Sequence, residues 1–174
     1  MDKKEFLIQH LTEGKSYQYI FDNYKVSRSE LTAWWNEGIE IRNEIKRANQ
    51  LFNARKGKGD FDKFEKLGRR KFFEWYEQQP KSCSYCGIEE EKLQEIFDFE
   101  NGILQTKRGR GRVLELERRD AINNEYSPEN CVMACYLCNN HKSDLISEKD
   151  HLKYFAKDIY KYLDDKYNEL IKER

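Results

Sequence analysis

The stretch NCVMACYLCNNHKSD, Asn130 to Asp144, places a short apolar run, a C-x-x-C pair and a cluster of polar side chains within fifteen residues. Asn130 to Ala134 reads as a strand. Cys135 and Cys138 form a tight turn, and a short helix is expected to start near Asn139, carrying Asn139, His141 and Lys142. A second pair, Cys83 and Cys86, lies upstream. Each pair makes a knuckle whose thiolates can fill half a tetrahedron around zinc, so four cysteines in two such pairs favour a metal over disulfides. Cys131 is left over, and its apolar neighbours mark it as a small buried hydrophobe.

Working outward, the segment before this stretch contains RVLELERRDAINNEYSPEN. Val113 to Glu117 alternates in the manner of a strand, and the turn-rich loop after it leads back to Asn130. Strand, loop, strand, cysteine knuckle and helix make a ββα unit. From Ser147 to the C-terminus a single long helix is expected, capped by Ser147 with Asp150. Leu152, Phe155, Ile159, Leu163, Tyr167 and Leu170 would form its apolar stripe.

The N-terminal part is helical. EFLIQHLTEG places Phe6, Leu7, His10 and Leu11 on one face and stops at Gly14. SYQYIFDNY follows as a second short helix. KVSRSELTAWWNEG offers Ser27 as N-cap with Glu30 three residues on, and ends at Gly38. Three short helices with a tight turn between the second and third resemble a helix-turn-helix of the resolvase or sigma-factor kind. Arg28, Ser29, Thr32 and Asn36 would then face the major groove. Two positions depart from that pattern: Phe21 stands where a small residue is usual, and Lys25 stands where glycine usually makes the turn. A plain helical packing module is the alternative. From Ile39 to about Tyr76 the chain is helix-prone, interrupted at NARKGKGDF, and RRKFFEWYEQQ is an amphipathic helix carrying Phe72, Phe73, Trp75 and Tyr76.

Composition suits a solvated globular protein: 38% hydrophobic and 37% charged, with 14% aromatic residues, too many for a disordered chain. No apolar run reaches membrane-spanning length and no N-terminal signal segment is evident, so a cytoplasmic protein without membrane contact is expected. The formal net charge of zero conceals segregation. Residues 42–81 hold twelve Lys/Arg against six Asp/Glu, and TKRGRGR adds Lys107, Arg108, Arg110 and Arg112, whereas residues 82–105 are acidic. Local basic surfaces are what meet phosphates. Lys56, Lys58, the four cations of TKRGRGR and Lys142 are therefore candidate DNA contacts. The expected fold class is mostly α with a small β component (α+β). It comprises a helix-turn-helix module over residues 1–41, a basic helical connector over 42–81, and a zinc-stabilised ββα unit with a long C-terminal helix over 82–174.

On the residues LELERRD, EYSPEN and CNNHKSD, together with both C-x-x-C pairs, the segment from Cys83 to Ile146 resembles the HNH, or ββα-metal, endonucleases. Within that group it is most similar to rare-cutting, zinc-bound restriction endonucleases of the PacI type. The resemblance implies a structural zinc ion on Cys83, Cys86, Cys135 and Cys138, and a catalytic Mg²⁺ or Mn²⁺ held by Glu117 and Asn139. It implies double-stranded DNA as substrate, cut to 5′-phosphate and 3′-hydroxyl ends, and a homodimer for a palindromic site.

The position after Glu117, usually a histidine that activates water, is Arg118, which stays protonated and cannot act as a base. Arg118 would instead clamp the scissile phosphate. Tyr85 and His141 are the candidates for handling the attacking water, although His141 should turn away from Asn139 on a helix. A homing-type or nicking enzyme stays open, as does a zinc-stabilised DNA-binding protein whose nuclease site has decayed. A thiol redox enzyme would require a reactive C-x-x-C.

Overall fold

A computed structural model describes residues 1–173. The chain forms two compact units, one ending at Gln78 and the next starting at Gln79. Helices dominate both, and a two-stranded antiparallel sheet lies in the second, so the chain is mostly α with a small β component.

The first unit comprises α1 (Lys3–Thr12), α2 (Tyr17–Tyr24), α3 (Arg28–Glu37), α4 (Ile39–Arg55) and α5 (Asp62–Glu77), with a 3₁₀ turn at Gly59–Phe61. Asp2, Ser16 and Ser27 cap the first three helices, each side chain accepting a backbone N–H three residues on. Gly38 ends α3 and begins α4, and a Cβ there would run into the Leu7 side chain and the Trp34 carbonyl. Lys25, between α2 and α3, adopts the left-handed conformation that glycine more usually supplies (φ 58°, ψ 26°). Phe21 does not sit at a helix crossing; it is exposed.

Helix α1 packs on α3, α4 and α5, and α4 packs on α5. Phe6, Leu7, Ile20, Leu31, Ile45, Phe52, Phe61, Phe64, Phe72 and Phe73 form the buried core. Leu11, expected on that face of α1, is only half-buried, and Ile8, Gln9 and Thr12 are buried in addition. Arg70 of α5 bridges Glu5 (2.8 Å) and Glu13 (2.9 Å) and also reaches Glu74 (3.2 Å), tying α5 to α1. The helices of the basic stretch thus belong to the same packed body as α1. Within α5 the backbone breaks at Gly68 (φ 81°, ψ 168°).

The second unit holds α6 (Glu90–Ile96), β1 (Glu115–Arg118), β2 (Cys131–Ala134), α7 (Tyr136–Lys142), α8 (Glu148–Tyr154) and α9 (Ala156–Glu173). The strands are shorter than their sequence patterns suggest. β1 begins two residues after Val113, and its register pairs Glu115 with Ala134, Glu117 with Val132 and Arg118 with Cys131. Helix α7 lies on β1 and α9, and α9 covers α6, where Lys92 meets Asp164 at 2.7 Å.

The expected single C-terminal helix is two. Ser147 does cap α8, but the backbone breaks at Phe155 (φ −126°, ψ −34°) and α9 starts anew. The break resets the helical phase, so Leu152 and Phe155 are exposed while His151, one residue before Leu152, is fully buried. The stripe holds only beyond the break, where Leu163 and Leu170 are buried and Ile159 and Tyr167 are half-buried.

Phe72 meets the rings of Phe64 (4.9 Å), Phe52 (5.5 Å) and Trp75 (5.6 Å) and is fully buried. Phe72→Ala should destabilise the first unit by about 3–5 kcal/mol in denaturant titrations followed by tryptophan fluorescence. Leu67→Ala, at an exposed position of the same helix, should stay within about 0.5 kcal/mol of wild type.

Candidate active site and metal centre

The first knuckle, Cys83 to Cys86, closes through Gly87 (φ 84°), whose N–H donates to the Cys83 carbonyl at 2.8 Å. The Ser84 N–H donates to the Met133 carbonyl (2.9 Å), which docks the knuckle on β2. The second knuckle is also the start of α7, with Cys135 as its N-cap. All four sulfur atoms lie within 4.8 Å of one another, and Cys86 and Cys135 are 3.8 Å apart at sulfur. Two thiolates bound tetrahedrally at the usual zinc–sulfur length of about 2.3 Å stand about 3.8 Å apart. A disulfide would need about 2.05 Å.

The donor set therefore fits zinc, and among the described residues it is the one cluster of three or more His, Cys, Asp or Glu side chains placed to hold a metal. Thiol contacts, first from Cys135, hold Cys83 well below the ordinary thiol range, while Cys138 is pushed above it by its contact with Cys135. Four sulfurs this close cannot all ionise unless a cation offsets their charge. Cys131 is buried in β2 and stands outside the cluster.

Because side chains alternate along a strand, Glu115 and Glu117 leave β1 on the same face. Asn139 and Lys142, three apart on α7, meet them in two rungs. The Asn139 amide nitrogen donates to Glu115 Oε2 at 2.7 Å, and the Lys142 ammonium donates to Glu117 Oε1 at 3.0 Å and to the Arg118 carbonyl at 2.8 Å. Glu115 is also gripped by the Arg110 guanidinium, whose Nε is 2.9 Å from Oε1.

Lys142 had been expected on a DNA-facing surface, and the structure corrects this: its side chain is 1% exposed and serves as the counter-ion of Glu117. The reason is its three-residue spacing from Asn139, which turns both side chains to the strand. Burial raises the Glu117 carboxyl above the ordinary range, although Lys142 opposes the shift.

Glu115 was missed in the sequence reading. The E-L-E alternation held the signal, since any side chain aimed at Glu117's face also meets the residue two positions earlier. Asn139 Oδ1 and Glu117 Oε2 make none of these contacts.

Arg118 projects from the opposite side of β1, with its guanidinium over the Tyr126 ring at 5.0 Å and its buried Nε without a hydrogen-bond partner. Asn130 binds the loop after β1. Its Oδ1 accepts from the Asp120 N–H (2.9 Å) and its Nδ2 donates to the carbonyls of Asp120 (3.0 Å) and Glu125 (2.8 Å).

Tyr85 lies between the cysteines of the first knuckle, and its buried hydroxyl has no hydrogen-bond partner. Burial first, then the carboxylates of Glu117 and Glu148, push its ionisation far above the ordinary phenol range. His141 packs against Phe155 (4.5 Å) and His151 (5.4 Å), away from the Asn139–Glu115 rung as helical geometry required.

Of the other expected contacts, Lys107 and Arg108 are exposed, and with Thr106, Arg110, Tyr136 and Asn140 they line a cavity of about 240 Å³. Arg112 pairs with Asp98 at 3.2 Å and covers the Phe99 ring. In the first unit, Arg28, Ser29, Asn36, Lys56 and Lys58 are exposed. The Thr32 hydroxyl is engaged with the Arg28 carbonyl at 2.9 Å. No described helix is long and apolar enough to cross a membrane.

One comparison with known proteins finds a counterpart. A solved structure of PacI, a rare-cutting HNH restriction endonuclease, is similar at 28% identity with a TM-score of 0.44. The similarity covers 54% of this chain and 62% of that one. No family model and no curated protein matches the chain.

If the four sulfurs hold zinc, purified protein should carry one zinc ion per chain by elemental analysis. Cys138→Ser, or a strong chelator, should remove it and lower the melting temperature of the second unit by well over about 10 °C, since metal binding there is folding free energy.

Proposed function

We propose that the chain is a metal-dependent HNH-class DNA endonuclease, hydrolysing phosphodiesters to 5′-phosphate and 3′-hydroxyl ends. The observation that supports this reading is the strand–helix face directly behind Cys138 of the sulfur cluster, where α7 meets β1 through Asn139 on Glu115 and Lys142 on Glu117. A divalent cation bound there supplies charge neutralisation for the phosphate and the departing oxygen.

The protein's own groups have separate tasks. Glu117 and Asn139 would hold the cation, while Lys142 and Glu115 hold their rotamers. Arg118, at the end of β1 with its guanidinium stacked on Tyr126, would present a fixed positive charge to the scissile phosphate. Tyr85 orients the attacking water, and His141 is the weaker candidate because it faces Phe155.

The helix-turn-helix would bring Arg28, Ser29, Thr32 and Asn36 to the major groove, with Thr32 offering its methyl rather than its engaged hydroxyl. Lys56, Lys58, Lys107, Arg108, Arg110 and Arg112 would track the backbone. A restriction role as a homodimer on a palindrome is the preferred setting, and a homing-type or nicking enzyme is the alternative.

A second reading has an observation in its favour. Both carboxylates of the face already have internal cations, Arg110 on Glu115 and Lys142 on Glu117, and Arg118 replaces the usual base. A zinc-stabilised DNA-binding protein with a decayed nuclease site would look like this.

Plasmid incubated with protein and Mg²⁺ or Mn²⁺ separates the two readings. Cleavage by wild type, reduced at least about 100-fold by Glu117→Gln and by Asn139→Ala, is expected of the nuclease. Binding without cutting in any divalent metal would establish the second reading, and sequencing the ends would give symmetry and cut position.

Internal neutralisation also has a consequence for metal affinity. Mn²⁺ should bind wild type weakly in calorimetry without DNA and at least about tenfold more tightly with uncleavable phosphorothioate DNA, whose phosphate completes the coordination.

A further inference from the structure

His151 of α8 is fully buried, yet neither ring nitrogen has a hydrogen-bond partner among the described protein groups. A neutral imidazole carries one donor and one acceptor, and leaving such groups unmet in the interior costs on the order of 1–3 kcal/mol each. An apolar residue would fill the place more cheaply. The surrounding contacts suggest what the nitrogens are for.

The ring meets Tyr85 edge-on at 5.2 Å, and the buried Tyr85 hydroxyl also lacks a hydrogen-bond partner. On its remaining sides it meets His141 at 5.4 Å and Phe155 at 6.3 Å. Phe155 is where the backbone breaks, and on α8 before it His151 rather than Leu152 is the buried residue. The residue before Tyr85, Ser84, docks by its N–H on Met133 of β2, and Met133 pairs with Leu116, the neighbour of Glu117 on β1. Two polar side chains in ring contact, both buried and both unmet, point to one shared small polar guest.

We propose that His151 is a positioning residue of the nuclease centre, orienting Tyr85 toward the Glu117 side of the site by ring contact and by a water molecule held between a ring nitrogen and the tyrosine hydroxyl. This rests on the nuclease reading and adds to it a residue distant in sequence from the ββα motif. His151 itself touches no substrate.

The test compares wild type with His151→Phe, His151→Gln, Tyr85→Phe and the His151→Phe/Tyr85→Phe double variant. The readouts are kcat and KM on plasmid with Mg²⁺ or Mn²⁺, zinc content and melting temperature. Phenylalanine keeps the ring and removes both nitrogens, so His151→Phe should retain zinc and melt no lower than wild type. Its kcat should fall at least tenfold with KM within twofold. Glutamine should restore part of the loss, and in the Tyr85→Phe background His151→Phe should cost less than a further twofold.

The proposal is overturned if His151→Phe cuts within twofold of wild type, if glutamine does no better than phenylalanine, or if the losses with Tyr85→Phe multiply independently. Equal cutting by wild type and His151→Phe would sink this inference while leaving the nuclease reading intact. Wild type that binds DNA and never cuts would sink both.

Discussion

Four sulfur atoms hold the second unit's working parts in place. The first knuckle hydrogen-bonds to β2, and the second is continuous with both β2 and α7, so a cation shared by the thiols would lock strand, turn and helix as one piece. A two-stranded sheet of four residues a side cannot support itself in water. The α6–α9 packing adds apolar burial from one side, and the sulfur cluster acts at the point where chain segments far apart in sequence converge. Position and chemistry are therefore linked: Asn139 follows Cys138 directly, and Tyr85 sits between Cys83 and Cys86.

Charge in the strand–helix face is matched in pairs. Arg110 meets Glu115, Lys142 meets Glu117, and the Asn139 amide spans to Glu115. A buried ion pair of this kind contributes little net stability, because desolvation offsets the attraction. Breaking one partner away is what costs. The pairs define geometry: Glu115 has both oxygens engaged, while Lys142 holds Glu117 by Oε1 and leaves Oε2 in a defined direction.

The sequence revealed this architecture unevenly, for physical reasons. The cysteine spacing and the strand-like runs on either side of Asp120–Glu129 were readable because they are local patterns, and the helix caps at Ser27 and Ser147 depend on three-residue spacing alone. The C-terminal break was not readable. Leu152 to Leu170 forms an unbroken helical stripe on paper, and only packing shows that the phase shifts at Phe155. Lys142 was misread for a related reason: lysine is so rarely buried that a solvated role is the natural expectation, and its counter-ion lies 25 residues away in the chain. His151 carried no local signal, since its neighbours Tyr85 and His141 come from other elements.

Lys25 occupies a left-handed corner between α2 and α3, where a side chain costs about 1–2 kcal/mol relative to glycine. Glycine would relieve that strain, yet it would also give the unfolded chain more freedom to lose, by about 0.4–1 kcal/mol. The first effect is about twice the second, so glycine would leave a net gain of about 1 kcal/mol or less. What differs is the width of the allowed backbone basin: lysine confines the bend to a narrow range of angles, making the joint between these two helices a stiff elbow rather than a loose one.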